Sequence, residues 1–73
     1  MTWNYRIVKD GDDFSIREVY YNDQDEVVSW TEKPCAPHGE DLADITADYG
    51  LMGSALRQPV LDVSSGKPED VGL

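Results

Sequence analysis

Seventy-three residues make one domain at most, and fifteen acidic against six basic residues leave a net charge of -9. That balance opposes the phosphate-neutralising class of nucleic-acid binders, whose affinity comes from Lys and Arg. A single cysteine excludes an internal disulfide, and no apolar run approaches the roughly 18 residues that a membrane span needs. The lone thiol fits a reducing compartment. The aromatic, polar opening lacks the pattern of a signal peptide. The expectation is a cytoplasmic, soluble, bacterial-type protein.

Residues 3–9 alternate, with Trp3, Tyr5 and Ile7 on one face and Asn4, Arg6 and Val8 on the other. Period-two alternation rich in aromatic and β-branched residues predicts a half-buried strand. The stretch KDGDD at 9–13 carries Asp-Gly, a hairpin signal, because glycine tolerates positive φ. FSIREVYY at 14–21 predicts the second strand, with Phe14 and Ile16 on one face and Val19 out of step. Either Tyr20 continues that face or a bulge near Arg17 and Glu18 shifts the register. NDQDE at 22–26 predicts a polar turn, and VVSWTE at 27–32 a third strand with Val28 and Trp30 together.

KPCAPHG at 33–39 reads as a loop, since Pro34 and Pro37 lack backbone donors and disfavour helix before them. A helix starts near Asp41, its N-cap, with Glu40, Asp41 and Asp44 at the positive end of the dipole. Leu42, Ile45, Tyr49, Met52 and Leu56 form one stripe, and Pro59 ends the helix. PVLDV at 59–63 is either a short strand or an apolar strap. The polar stretch from Ser64 reads as disordered.

The expected fold is α+β: a three-stranded antiparallel sheet in β-β-β-α order over residues 2–62, one amphipathic helix covering one face, and a disordered tail at 63–73. The helix stripe is expected to pack on Trp3, Tyr5, Ile7, Phe14, Ile16, Val28 and Trp30. That leaves Val8, Val19, Tyr21 and Val27 on the other face. They are the expected partner surface, for another protein or for a second copy in a homodimer.

The groups that carry chemistry are sparse. Cys35 and His38 have the spacing of half a zinc site, but zinc takes three or four ligands and no second Cys or His exists. The same pair lacks a third orienting residue for nucleophilic catalysis. Asp10, Asp12 and Asp13 cluster in one turn, and Asp23, Asp25 and Glu26 in the next. Neither has the glycine and glutamate of a calcium loop. Ser29, Ser54 and Ser64 lack a nucleophile-elbow context. No catalytic, metal or cofactor-binding residue is assigned, and the chain is expected not to be an enzyme. A small acidic protein-protein interaction module is the expected function. An antitoxin-type or nucleic-acid-mimic inhibitor of a basic partner is the alternative.

Four stretches carry a resemblance: Thr2–Arg6 (TWNYR), Glu18–Tyr21 (EVYY), Ser29–Pro34 (SWTEKP) and Pro37–Leu42 (PHGEDL). In that order the chain resembles a set of short, uncharacterised bacterial proteins, over about residues 2–62. Asp41 stands where that pattern has Thr, and either residue caps a helix. The resemblance implies a shared domain but no activity. In topology and acidity the chain is also similar to the sheet-and-helix half of HicB-type antitoxins, without their appended DNA-binding segment. That similarity implies a small basic toxin as partner.

Overall fold

The computed structural model describes residues 2–71. Along the chain it forms β1 (Thr2–Asp10), β2 (Asp13–Tyr21), β3 (Val27–Trp30), α1 (Leu42–Gly53), a 3-10 turn (Ser54–Arg57), β4 (Val60–Asp62) and β5 (Glu69–Val71). The first three strands and the helix stand where the sequence pattern puts them. The sheet does not stop at three strands. Among the described residues it has five, in the order β3-β2-β1-β4-β5, and it is mixed. The expected three-stranded antiparallel sheet is therefore corrected to a five-stranded half-barrel.

The hairpin closes as the Asp-Gly signal predicts. Asp10 pairs with Asp13, and Gly11 takes φ +62 at the first turn position. Asp12 does not share that positive φ, which is the type II′ pattern and matches strand twist. β1 and β2 then pair without interruption from Asp10–Asp13 to Thr2–Tyr21. The irregularity lies later than expected, between Tyr20 and Tyr21 against β3.

The missing strands come from the segments with the weakest signals. After α1, PVLDV returns the chain to the open edge of β1, where Val8 pairs with Leu61 and Lys9 with Asp62 in parallel. The chain then turns through Ser64–Gly66 and lays β5 antiparallel on β4. Residues 64–71 thus form a turn and an edge strand instead of the disordered tail; 72–73 of that tail lie outside the described residues. Three residues are too few for a period to show, so only the partner strand makes β5 a strand.

Pairing register assigns the faces. Opposed residues share a face, so Trp3 and Tyr20, Tyr5 and Glu18, and Ile7 and Ile16 lie together. Asn4 and Val19, Arg6 and Arg17, and Val8 and Ser15 lie on the reverse, with Trp30 beside Val19 and Leu61 beside Val8. α1 sits over the first face: Tyr5 Oη donates to Asp48 at 3.2 Å, and Met52 is buried near Ile16. The deepest core lies on the second. Val8 and Val19 are 0% exposed and Leu61 1%, with Val63, Tyr21, Val27 and Trp30 packed around them. Burying each aliphatic side chain contributes about 1.5–3 kcal/mol.

Among the described residues no helix covers that second face, because α1 lies on the other. The sheet's own side chains seal it. Arg6 and Arg17 face each other across β1 and β2 and are only 4% and 7% exposed. Like charges at opposed positions repel. Here the two guanidiniums turn apart. Arg6 reaches the Pro59 carbonyl at 2.8 Å and the Asp70 carboxylate on β5. Arg17 reaches the Thr31 and Glu32 carbonyls at 3.3 and 3.1 Å, and Asp13. With side-chain exposures of 5% and 9%, the guanidiniums are out of water along with their stems, and these carbonyls and carboxylates take the place of hydration. Burial alone would lower the Arg6 pKa, but the hydrogen bonds to Asp70 and Tyr21 outweigh it and raise it.

Candidate partner-binding surface

Two residues of the expected partner surface are enclosed and the other two are half-buried. Val8 and Val19 are fully enclosed, and Tyr21 and Val27 pack against them. The arginines at 6 and 17 made this face read as the polar one, yet their stems close it. Trp30 also belongs to this side, through its pairing with Val19. Val8 and Val19 are core, and Tyr21 and Val27 are partly buried against it.

Most of the large apolar side chains left in solvent are on the helix and the 3-10 turn after it. Asp41 caps α1 by accepting from the Asp44 amide at 2.8 Å, and Ser54 closes the far end. Over the first two turns every side chain from Leu42 to Ala47 is exposed. Leu42 is 81% exposed, Tyr49 70% and Leu56 69%. Within α1 only Met52 is buried. The stripe that the sequence assigns to the core therefore faces outward along most of its length. Trp3 and Phe14, expected beneath it, are exposed as well. A 12-residue helix in water derives most of its stability from burying a face, and this one buries little.

A segment of the 33–39 loop stands alongside the helix. Cys35 donates its amide to the Ile16 carbonyl at 2.9 Å, and His38 donates its amide to Asp48 Oδ2 at 2.8 Å. Asp48 so ties loop, helix and sheet through one carboxylate. Gly39 permits the close approach: a Cβ there would collide with the backbone of Asp44 and Ile45. Between loop and helix lies an apolar cleft of about 210 Å³, with Ile16 and Met52 in its floor and Cys35, Pro37, Tyr49 and Leu56 around it. It continues past Pro37 toward Ile45 and Thr46.

Carboxylates surround this surface. Glu40, Asp41 and Asp44 are exposed at the helix start, and Glu18 approaches Cys35 Sγ at 4.0 Å. Of the six basic residues, Arg6, Lys9 and Arg17 pair with Asp70, Asp62 and Asp13. The hydrogen bond from Ser64 pulls the Asp62 carboxyl below its usual range, with help from Lys9.

The other candidates disperse. The Cys35 thiol neighbours Thr31 and Glu18, at 3.8 and 4.0 Å, while His38 is exposed. Among the described residues no three His, Cys, Asp or Glu side chains gather to hold a metal ion. The Asp23–Glu26 turn is organised by Asn22, whose side chain accepts from the Gln24 and Glu26 amides. A hollow of about 450 Å³ lies over Arg6, but that guanidinium is already engaged by Asp70, Tyr21 and Pro59. Among the described residues no helix is long and apolar enough to cross a membrane.

Tyr5 reports on how the helix is held. Burial, and then the neighbouring Asp48, push its pKa up from 10.0 to about 12. The folded value lies above the unfolded one. The contribution is therefore complete below pH 10 and is lost as pH rises toward 12. An ultraviolet titration is expected to show Tyr5 ionising late, near pH 12, with Tyr20 also raised by its hydrogen bond to Glu18. Tyr5→Phe should remove that late step and the matching loss of stability. If Tyr5 ionised near pH 10, the helix would not be tied to the sheet by this bond.

No protein-family model, curated protein or solved structure matches the chain.

Proposed function

We propose that the chain is a small acidic protein-protein interaction module that binds a partner rich in Lys and Arg, and that it acts neither as an enzyme nor on nucleic acid. One observation carries the reading: α1 and the 3-10 turn after it hold Leu42, Tyr49 and Leu56 in solvent beside carboxylates at the helix start. Apolar side chains grouped on a small surface and rimmed by charge mark a place where another molecule docks. The net charge of -9 selects the sign of that molecule. Complementary charge speeds encounter, and the apolar contact supplies the slow release. A second copy is the poorer partner, because pairing two helices would bring like charges together. The antitoxin-type alternative has the same requirement, a basic partner, and a captured basic toxin would select it.

Affinity capture on the immobilised chain tests the reading. Proteins retained at low salt should be rich in Lys and Arg. They should elute as the screening length falls from about 10 Å toward about 3 Å, and be lost when Tyr49 and Leu56 are both serine. Retention of nucleic acid, or capture unchanged by the double replacement, contradicts it.

A further inference from the structure

We propose, resting on the reading above, that the cleft between α1 and residues 34–38 receives a basic amphipathic helix of the partner and not an extended strand. The reason is the backbone of its walls. A strand docks by exchanging main-chain hydrogen bonds with an exposed edge. Neither wall offers one. The Asp44 amide is held by the Asp41 side chain, and from Ile45 on the amides of α1 are bonded along the helix. Across the cleft, Pro34 and Pro37 have no N–H, the Cys35 amide is held by Ile16 and the His38 amide by Asp48. Ala36 alone keeps an amide in that segment. An occupant here must satisfy its own backbone bonds, because unpaired buried amides cost free energy. A helix does so, and it brings apolar side chains at three- and four-residue spacing. The outermost strands, β3 and β5, lie elsewhere in the sheet, and beside the cleft, where β3 no longer covers β2, the Ile16 and Glu18 carbonyls are taken by Cys35 and Thr31.

Charge selects the helix's other face. Asp41 stands one turn before Ile45 on the same side of α1, with Glu40 and Asp44 exposed beside it. Glu18 lies close to Cys35 at the opposite wall. A helix with leucine on one face and lysine along its flanks would meet apolar floor and acidic rims together.

Three synthetic peptides of about five helical turns test this against the full chain. The first carries Leu and Lys at amphipathic helical spacing. The second has the same composition in strict alternation, and the third replaces Lys by Glu in the helical order. Calorimetry is expected to show the helical Leu/Lys peptide binding at least about tenfold more tightly than the alternating one. Amide shift changes should centre on Ile16, Cys35, Tyr49 and Leu56. Tyr49→Ser with Leu56→Ser, which leaves the charge unaltered, should weaken binding by a similar factor. Equal binding of the alternating peptide, or shift changes centred on β3 or β5, overturns this inference while leaving the interaction module standing. Failure of both basic peptides to bind, or equal binding of the acidic one, overturns both.

Discussion

Leu61→Ala is expected to destabilise the domain by about 2–5 kcal/mol, because it empties a fully enclosed position. Leu61 is 1% exposed and pairs beside Val8. It sits where the parallel strand β4 joins the hairpin, so the cavity would open between the two halves of the sheet. A domain this small has a net stability of the same order, and the variant should be largely unfolded at room temperature. Leu42→Ala removes the same atoms from a residue 81% exposed and should change stability by no more than about 0.5 kcal/mol. Urea melts of the two variants make the comparison. Equal losses would place the core on the wrong side of the sheet.

Arg6→Ala is the second large effect expected, at about 2–3 kcal/mol. The substitution strips an aliphatic stem from over Val8 and Val19 and leaves the Pro59 carbonyl without its donors. It also frees β5, which Arg6 holds through Asp70. Asp70→Asn should cost less, about 1 kcal/mol or below, because that carboxylate is 62% exposed and water screens the pair. Thermal melts of both variants check the order. If Asp70→Asn proved the more damaging, the arginine would be serving as an ion-pair partner and not as a lid.

The hairpin, the third strand and the capped helix were legible because each carries a local signal: alternation, Asp-Gly, and an aspartate before an apolar period. Local signals say nothing about which face of a sheet is enclosed. Trp3, Tyr5 and Ile7 look like the core side of β1, and Arg6 looks like the solvent side. Arginine stems reverse that reading once a curled sheet brings Pro59, Thr31 and Asp70 within reach of their charges. The strand at 60–62 exists through pairing with Val8 and Lys9, far away in the chain, and the strand at 69–71 exists only because that strand is there to pair with it. Elimination alone points Val8, Val19, Tyr21 and Val27 outward, where the structure encloses the first two and half-buries the others, and period alone points the helix stripe inward. Periodicity shows that a helix has an apolar face, but not that its own chain covers it.

Urea denaturation of the Tyr49→Ser/Leu56→Ser double variant, run beside Val19→Ser, tests the central claim most directly. The claim is that the sheet encloses its own core and leaves the helix face for a partner. The double variant should unfold within about 0.5 kcal/mol of the parent, since both side chains stand in water. Val19→Ser should lose several kcal/mol, because it buries a hydroxyl where a methyl group packed. A double variant that unfolds like a core deletion, with Val19→Ser nearly neutral, would contradict the account.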